Sequence, residues 1–190
     1  KKELSEDIGW IESRRGDMLG FWSKVEEGTI PTRVTHNDTK INNILFDRQG
    51  EVLCAIDLDT VMASTSLNDF GDAIRSYANT GDEDDRDLSR VGLSLEMFRA
   101  YTEGYLSQRA KQLTDSEIDH LAFSTRYITF EQVLRFLMDY IDGDTYYKVK
   151  YPGHNLVRTH AQYRLLQSME EHYGEMCRIV RETVDKYRKA

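Results

Sequence analysis

The chain is 190 residues long, with 39% hydrophobic, 31% charged and 11% aromatic residues, a balance that supports one buried core and excludes a disordered or collagen-like chain. Its 25 basic and 33 acidic side chains give a net charge of -8, which disfavours nucleic acid or another polyanion as the main partner. The longest apolar run, residues 52–56, falls far short of the roughly 20 residues of a bilayer span, and the distant Cys54 and Cys177 suggest neither a metal quartet nor a disulfide framework, so a soluble, cytoplasmic protein without a membrane partner is expected.

Ile8, Ile11, Met18, Leu19, Trp22 and Val25 recur at three- and four-residue spacings, which predicts an amphipathic helix over 8–25. Gly28 and Pro31 end it. Residues 33–59 read as a loop and a β-hairpin: strand Ile44-Leu45-Phe46, a turn around Arg48-Gln49-Gly50, and an apolar strand over 52–56 in which Cys54 is expected to lie in the core. After Asp69 the chain reads as helical, beginning with a short segment over 73–77, and the acidic stretch 81–87 reads as a solvated loop. A helix is expected over 95–109. Thr114-Asp115-Ser116-Glu117 has the form of a capping box, opening a long helix that buries Ile118, Leu121, Phe130, Val133, Leu134, Leu137, Met138 and Ile141. Gly143 and Pro152-Gly153 mark turns, and a last helix over 155–186 follows. With no repeat or linker, the expected fold is α+β and helix-dominated, one unit over 1–190, with a loop and hairpin at about 33–60 and a helical part at about 69–190.

The polar residues around the hairpin converge. With the turn near Gly50, antiparallel pairing brings Asn43 and Asp57 to the same open end, and Asp38 lies just before it. Three oxygen-bearing side chains then face one small volume, a donor set suited to Mg2+, which takes one or two carboxylates and completes its shell with water and substrate phosphates. Phosphoryl transfer needs that arrangement, because its loose transition state calls for positioning and charge neutralisation rather than covalent chemistry. His36-x-Asp38-x-x-x-x-Asn43, followed by a hairpin and an Asp, has the spacing of a kinase catalytic loop and its metal ligand.

On these residues the chain resembles the aminoglycoside phosphotransferase and choline kinase superfamily, small-molecule kinases with a protein-kinase-like fold. The segments His36-Asn37-Asp38-Thr39-Lys40-Ile41-Asn42-Asn43, Ile56-Asp57-Leu58-Asp59 and Asp69-Phe70-Gly71-Asp72, with the later Asp142-Gly143-Asp144-Thr145-Tyr146-Tyr147 and Gly153-His154-Asn155-Leu156, look most like the bacterial N-acetylhexosamine 1-kinases. The resemblance implies an ATP-dependent kinase with Asp38 as catalytic base, Asn43 and Asp57 as Mg2+ ligands and Lys40 as a γ-phosphate contact. It also implies that His36 supports the loop, that Asp69 braces it from the following helix, and that Arg135 and Tyr146 face an amino-sugar acceptor. Asp69-Phe70-Gly71 spells the protein-kinase metal motif, but Asp57, ending the strand opposite Asn43, is the better ligand.

Competing readings attach to several of these residues. Either Asn42 or Asn43 serves only the turn, and Asp59 either joins the site or caps the next loop. Lys40 is otherwise a solvated lysine. Arg135 could instead belong to an i, i+4 ion-pair ladder with Glu131 and Asp139, and Tyr146 and Tyr147 could be core aromatics. None of the 12 glycines forms the Gly-x-Gly-x-x-Gly of a nucleotide-binding small lobe, so the resemblance implies the large, C-terminal lobe with the N-terminal lobe absent, an apolar face where that lobe docks, and little ATP turnover by these 190 residues alone. The acceptor could also be choline, homoserine or an aminoglycoside. Outside the kinases, a non-catalytic interaction module or a metal-dependent hydrolase would use the same cluster, whereas a protein kinase is disfavoured by the missing Ala-Pro-Glu.

Overall fold

The structure, a computed structural model, describes residues 4–189. Six helices, α1 (Ser5–Glu26), α2 (Ser66–Tyr77), α3 (Leu95–Arg109), α4 (Asp115–Ile141), α5 (His154–Glu171) and α6 (Tyr173–Arg188), accompany two small antiparallel pairs, β1 (Arg33–Thr35) with β4 (Met62–Ser64) and β2 (Ile44–Phe46) with β3 (Val52–Ala55). The α+β, helix-dominated class is that expected of a kinase-like large lobe.

The long α4 forms the spine. α2 and α5 pack along it, and α6 crosses both α3 and α4. Phe70, Ile74, Phe98, Leu106, Leu121, Leu165 and Met169 fill the space between these helices. Thr114 Oγ1 accepts the Glu117 amide at 3.2 Å, and the Glu117 carboxylate takes the Thr114 N–H at 2.8 Å, so the capping box is formed. Glu117 goes further: it accepts Arg33 Nε at 2.6 Å and Ser66 Oγ at 2.8 Å. One buried carboxylate thus ties the starts of α4, β1 and α2 together.

Several expectations are corrected. The buried side of α1 is set by Met18 and Phe21, while Ile8 and Leu19 are exposed, because they lie off the sides that meet α4 and, through Trp10 on Tyr163 and Arg14 on Glu170, α5. α2 begins at Ser66 rather than 73, its free Leu67 amide taken by the Thr65 hydroxyl. Met138 and Ile141 are exposed, since they share a stripe of α4 that no helix covers. The last helix is two helices, broken at His172, so that α5 follows α4 while α6 turns toward α3. The acidic stretch is partly structural: Asp84 binds Lys150 and His154, and Asp85 is buried. Cys54 is exposed, not core, because all of β3 lies on the surface.

Candidate active site

Two nested antiparallel pairs build the site. β1 pairs with β4 in register Arg33 to Ser64 and Thr35 to Met62, and β2 pairs with β3 inside that closure, Ile44 opposite Ala55. The segments joining the pairs, 36–43 and 56–61, must therefore face each other. They are cross-linked: the Ile56 amide donates to the Asn43 carbonyl at 2.9 Å, Thr60 Oγ1 to the His36 carbonyl at 2.6 Å, and Asn37 Nδ2 to the Thr60 carbonyl at 3.0 Å. The β1/β4 pair has no counterpart in the sequence reading, three residues being too short for a recognisable alternation.

Asp38 lies at the centre of this loop. Asn43 Nδ2 donates to both its carbonyl, at 2.9 Å, and its Oδ2, at 2.7 Å, and Lys40 Nζ meets the same Oδ2 at 2.8 Å. His36 Nε2 donates to the Ile56 carbonyl at 2.9 Å, bridging the two segments. From α2, Asp69 accepts the His36 and Asn37 amides at 3.0 and 2.7 Å, and its carbonyl takes the Thr39 hydroxyl at 2.6 Å. Burial pushes the Asp69 carboxyl up, and those amides pull it only partly back.

Asp57 follows β3 in the left-handed region, φ 64° and ψ 56°, an arrangement that costs on the order of 1 kcal/mol for a non-glycine residue. The turn directs the residue to the wall of the cleft, and among the described residues its carboxylate has no hydrogen bond or ion pair. The donor set fits a hard cation. The Asn43 amide nitrogen is committed twice to Asp38, leaving its oxygen without a hydrogen bond among the described residues, and Asp57 supplies a free carboxylate. No group of three His, Cys, Asp or Glu side chains suited to a metal occurs among the described residues. One amide and one carboxylate nevertheless match a site completed by water and phosphate oxygens.

Beside this loop opens a cleft of about 680 Å3. Asp38, Lys40, Asp57 and Asp59 line one end of it, and Arg135 and Tyr146 line the wall with Glu131, Tyr147 and Arg158. Asn43, His36 and Asp69 are not among the residues that line it. The ion-pair ladder on α4 does not form: Asp139 turns to the following loop, and Arg135 has no ion pair among the described residues. Its guanidinium lies 6.0 and 5.5 Å from the rings of Tyr146 and Tyr147. Tyr146 is 74% exposed, so it is no core aromatic, whereas Tyr147 is half-buried against Phe136.

Sequence reasoning missed other lining residues. Trp22 stacks parallel on Tyr127 with 5.8 Å between centroids, and both line the cleft. Tyr127, Glu131 and Arg135 share an i, i+4 stripe opposite the α4 core positions, a pattern that could have revealed them. Burial pushes the Glu131 carboxyl up, against the pull of Arg135. On the cleft floor Asp72 pairs with the buried Arg75 at 2.8 Å.

The hairpin is apolar and uncovered on both faces: Leu45, Phe46, Val52 and Leu53 are exposed, as is Leu58 just beyond it. Among the described residues no helix is long and apolar enough to cross a membrane. A family model described as the phosphotransferase enzyme family matches residues 7–110, more than half of the chain, from α1 through the loop, the hairpin and α2 to the end of α3. The loop geometry and this match agree, and the chain belongs to the phosphotransferase enzyme family.

Proposed function

We propose that the chain is the catalytic large lobe of an ATP-dependent small-molecule kinase that phosphorylates the anomeric hydroxyl of an N-acetylhexosamine. The observation that carries this reading is the Asp38 carboxylate, held by Asn43 Nδ2 at 2.7 Å, lining the same cleft as the unpaired Asp57. Arg135 and Tyr146 on its wall support a sugar acceptor, since a guanidinium donates to hydroxyls and an aromatic ring covers a pyranose face.

In this reading Asp38 Oδ2 orients the acceptor hydroxyl and takes its proton as the oxygen attacks the γ-phosphorus and the bond to the ADP oxygen breaks. Lys40, now on Asp38, turns to the γ-phosphate, relieving the carboxylate of a cation as the proton arrives. Asn43 Oδ1 and Asp57 would hold Mg2+, which when bound would supply charge neutralisation on the donor phosphates. His36 and Asp69 keep the loop in place. The exposed apolar hairpin docks an N-terminal lobe that closes over the nucleotide.

The test is ADP formation by the full-length gene product with Mg2+-ATP and a panel of N-acetylhexosamines, choline, homoserine and aminoglycosides. Turnover stimulated by N-acetylhexosamines and reduced about 10²–10⁴-fold by Asp38→Asn is expected. Stimulation by another acceptor alone overturns the sugar assignment. Phosphate release without any acceptor favours a hydrolase, and no turnover at all favours an interaction module.

A further inference from the structure

The segment between α4 and α5 carries Tyr146 to the cleft, and one buried side chain organises it. Asp139, in the last turn of α4, is 6% exposed. Its Oδ1 accepts the main-chain N–H groups of Thr145 at 2.9 Å and Tyr146 at 2.8 Å, and its Oδ2 accepts those of Tyr147 at 2.9 Å and of Asn155 Nδ2 at 2.8 Å. The fully buried Asn155 also donates to Asp144 Oδ1 at 2.8 Å and accepts Arg158 Nη1 at 2.9 Å. The Asp144 amide closes the ring on the Asp139 carbonyl at 2.8 Å, with Asp144 in the left-handed region at φ 59°.

A carboxylate in the last turn of a helix opposes the helix dipole, so helix stability does not explain it. Burial pushes the Asp139 carboxyl up, yet the three amides and Asn155 outweigh this and hold it below its ordinary value. The recipients of its charge are three consecutive amides, and the middle one belongs to a tyrosine whose ring stands on the cleft. Arg135 lies one turn earlier on the same helix, facing that ring, and Arg158 lies one turn after Asn155 with its head also on the cleft. The ring of bonds therefore fixes Tyr146 relative to both arginines.

We propose that Asp139 is a positioning residue for the acceptor: by clamping the amides of residues 145–147 it sets Tyr146 at a fixed place over the acceptor end of the cleft, opposite Arg135. This rests on the reading of Arg135 and Tyr146 as acceptor contacts. Asp139→Asn keeps the size of the side chain but sets an NH2 group against amide donors, so the segment loses its alignment while the Asp38 loop, on the other side of the cleft, is untouched.

The experiment measures acceptor and ATP kinetics of the full-length enzyme for Asp139→Asn, Tyr146→Ala and the double variant, with Asn155→Leu as a second probe of the same ring. Asp139→Asn is expected to raise KM for the acceptor about tenfold, equivalent to about 1.4 kcal/mol, and to leave KM for ATP unchanged. The double variant is expected to be no worse than Tyr146→Ala, because both lose the same contact. Additive losses, or an ATP KM that rises in step, show a merely structural role and overturn the proposal. If Asp139→Asn does not fold, Asn155→Leu decides: a selective rise in acceptor KM supports the proposal and its absence overturns it. If Tyr146→Ala leaves acceptor KM unchanged, the acceptor-site reading fails first, an outcome distinct from an effect of Tyr146→Ala without one of Asp139→Asn.

Discussion

The Asn37 amide donates to Asp69 Oδ1 over 2.7 Å while Asn37 itself sits at φ 62°. The preceding amide, of His36, donates to Oδ2 over 3.0 Å, so one carboxylate in the first turn of α2 holds the backbone where it enters a sparsely populated conformation. The residue after that strained position is Asp38. Asp69 thereby turns the rigid packing of α2 on α4 into a fixed direction for the side chain that the kinase reading makes the base.

Asp69→Asn leaves one acceptor oxygen for two buried amides and sets an NH2 group against the other. A stability loss of about 1–3 kcal/mol is expected in urea denaturation. In the full-length enzyme kcat should fall more than either KM, because the loop still binds but no longer aligns. An unchanged kcat would show that the nested strand pairs fix the loop without α2.

Gly71 lies where α2 crosses α4. A Cβ built there would stand 2.5 Å from the Ser124 carbonyl oxygen and 2.9 Å from Ile128 Cγ1, and backbone cannot yield as a side-chain tip can. Gly71→Ala is therefore expected to destabilise by about 1–3 kcal/mol despite alanine's better helix propensity. By contrast Gly104→Ala, with open space at its Cβ, should be neutral or stabilising. Thermal unfolding of the two variants side by side separates close approach from propensity.

Glu117 makes stability depend on pH. Burial raises its carboxyl, but Arg33, the Thr114 amide and Ser66 outweigh burial and hold it down to about 2, below its ordinary 4.5. Between those values the unfolded chain binds more protons than the folded one, so this contribution is complete above about pH 5 and is lost as pH falls toward 2. Its ceiling is about 3 kcal/mol. Glu117→Gln should be less stable than the parent at pH 7, and the gap should shrink steadily on acidification. A gap that stays constant from pH 6 to pH 3 would show that packing of the capping box, not its charge, supplies the stability.

The sequence was most legible where chemistry and local geometry coincide. The spacing from His36 to Asn43 and the turn at Gly50 were enough to bring Asp38, Asn43 and Asp57 to one end of a hairpin, and the Thr114–Glu117 cap marked the start of α4. What stayed hidden depended on distant partners. Nothing local says that Glu117 also binds Arg33 and Ser66, or that Asp139 turns away from Arg135 toward residues 145–147. The Asp69-Phe70-Gly71 string resolves into packing: Phe70 is wholly buried, Gly71 admits α4, and Asp69 points back at the loop. Cys54 was misplaced because an apolar strand suggests a core, and here the strand's apolar surface faces no other element of the described residues.

That uncovered surface supplies the last prediction. Phe46, Val52 and Leu53 are 46%, 64% and 63% exposed on one small hairpin, a concentration that marks an interaction surface rather than scattered apolar residues. The 190-residue chain should therefore bind a hydrophobic dye and self-associate as its concentration rises. Replacing Val52 with Thr and Leu53 with Ser should suppress both, while changing its unfolding free energy by only about 0.5 kcal/mol per site, since neither side chain gives up buried contacts. In the two-lobed enzyme of the proposed reading the same pair should behave differently. If the face docks the N-terminal lobe, the substitutions remove apolar contact at about 25 cal/mol per Å2 and should weaken ATP binding and turnover. Full-length protein that keeps wild-type kinetics with both substitutions would show that the hairpin face meets something other than the nucleotide-binding lobe.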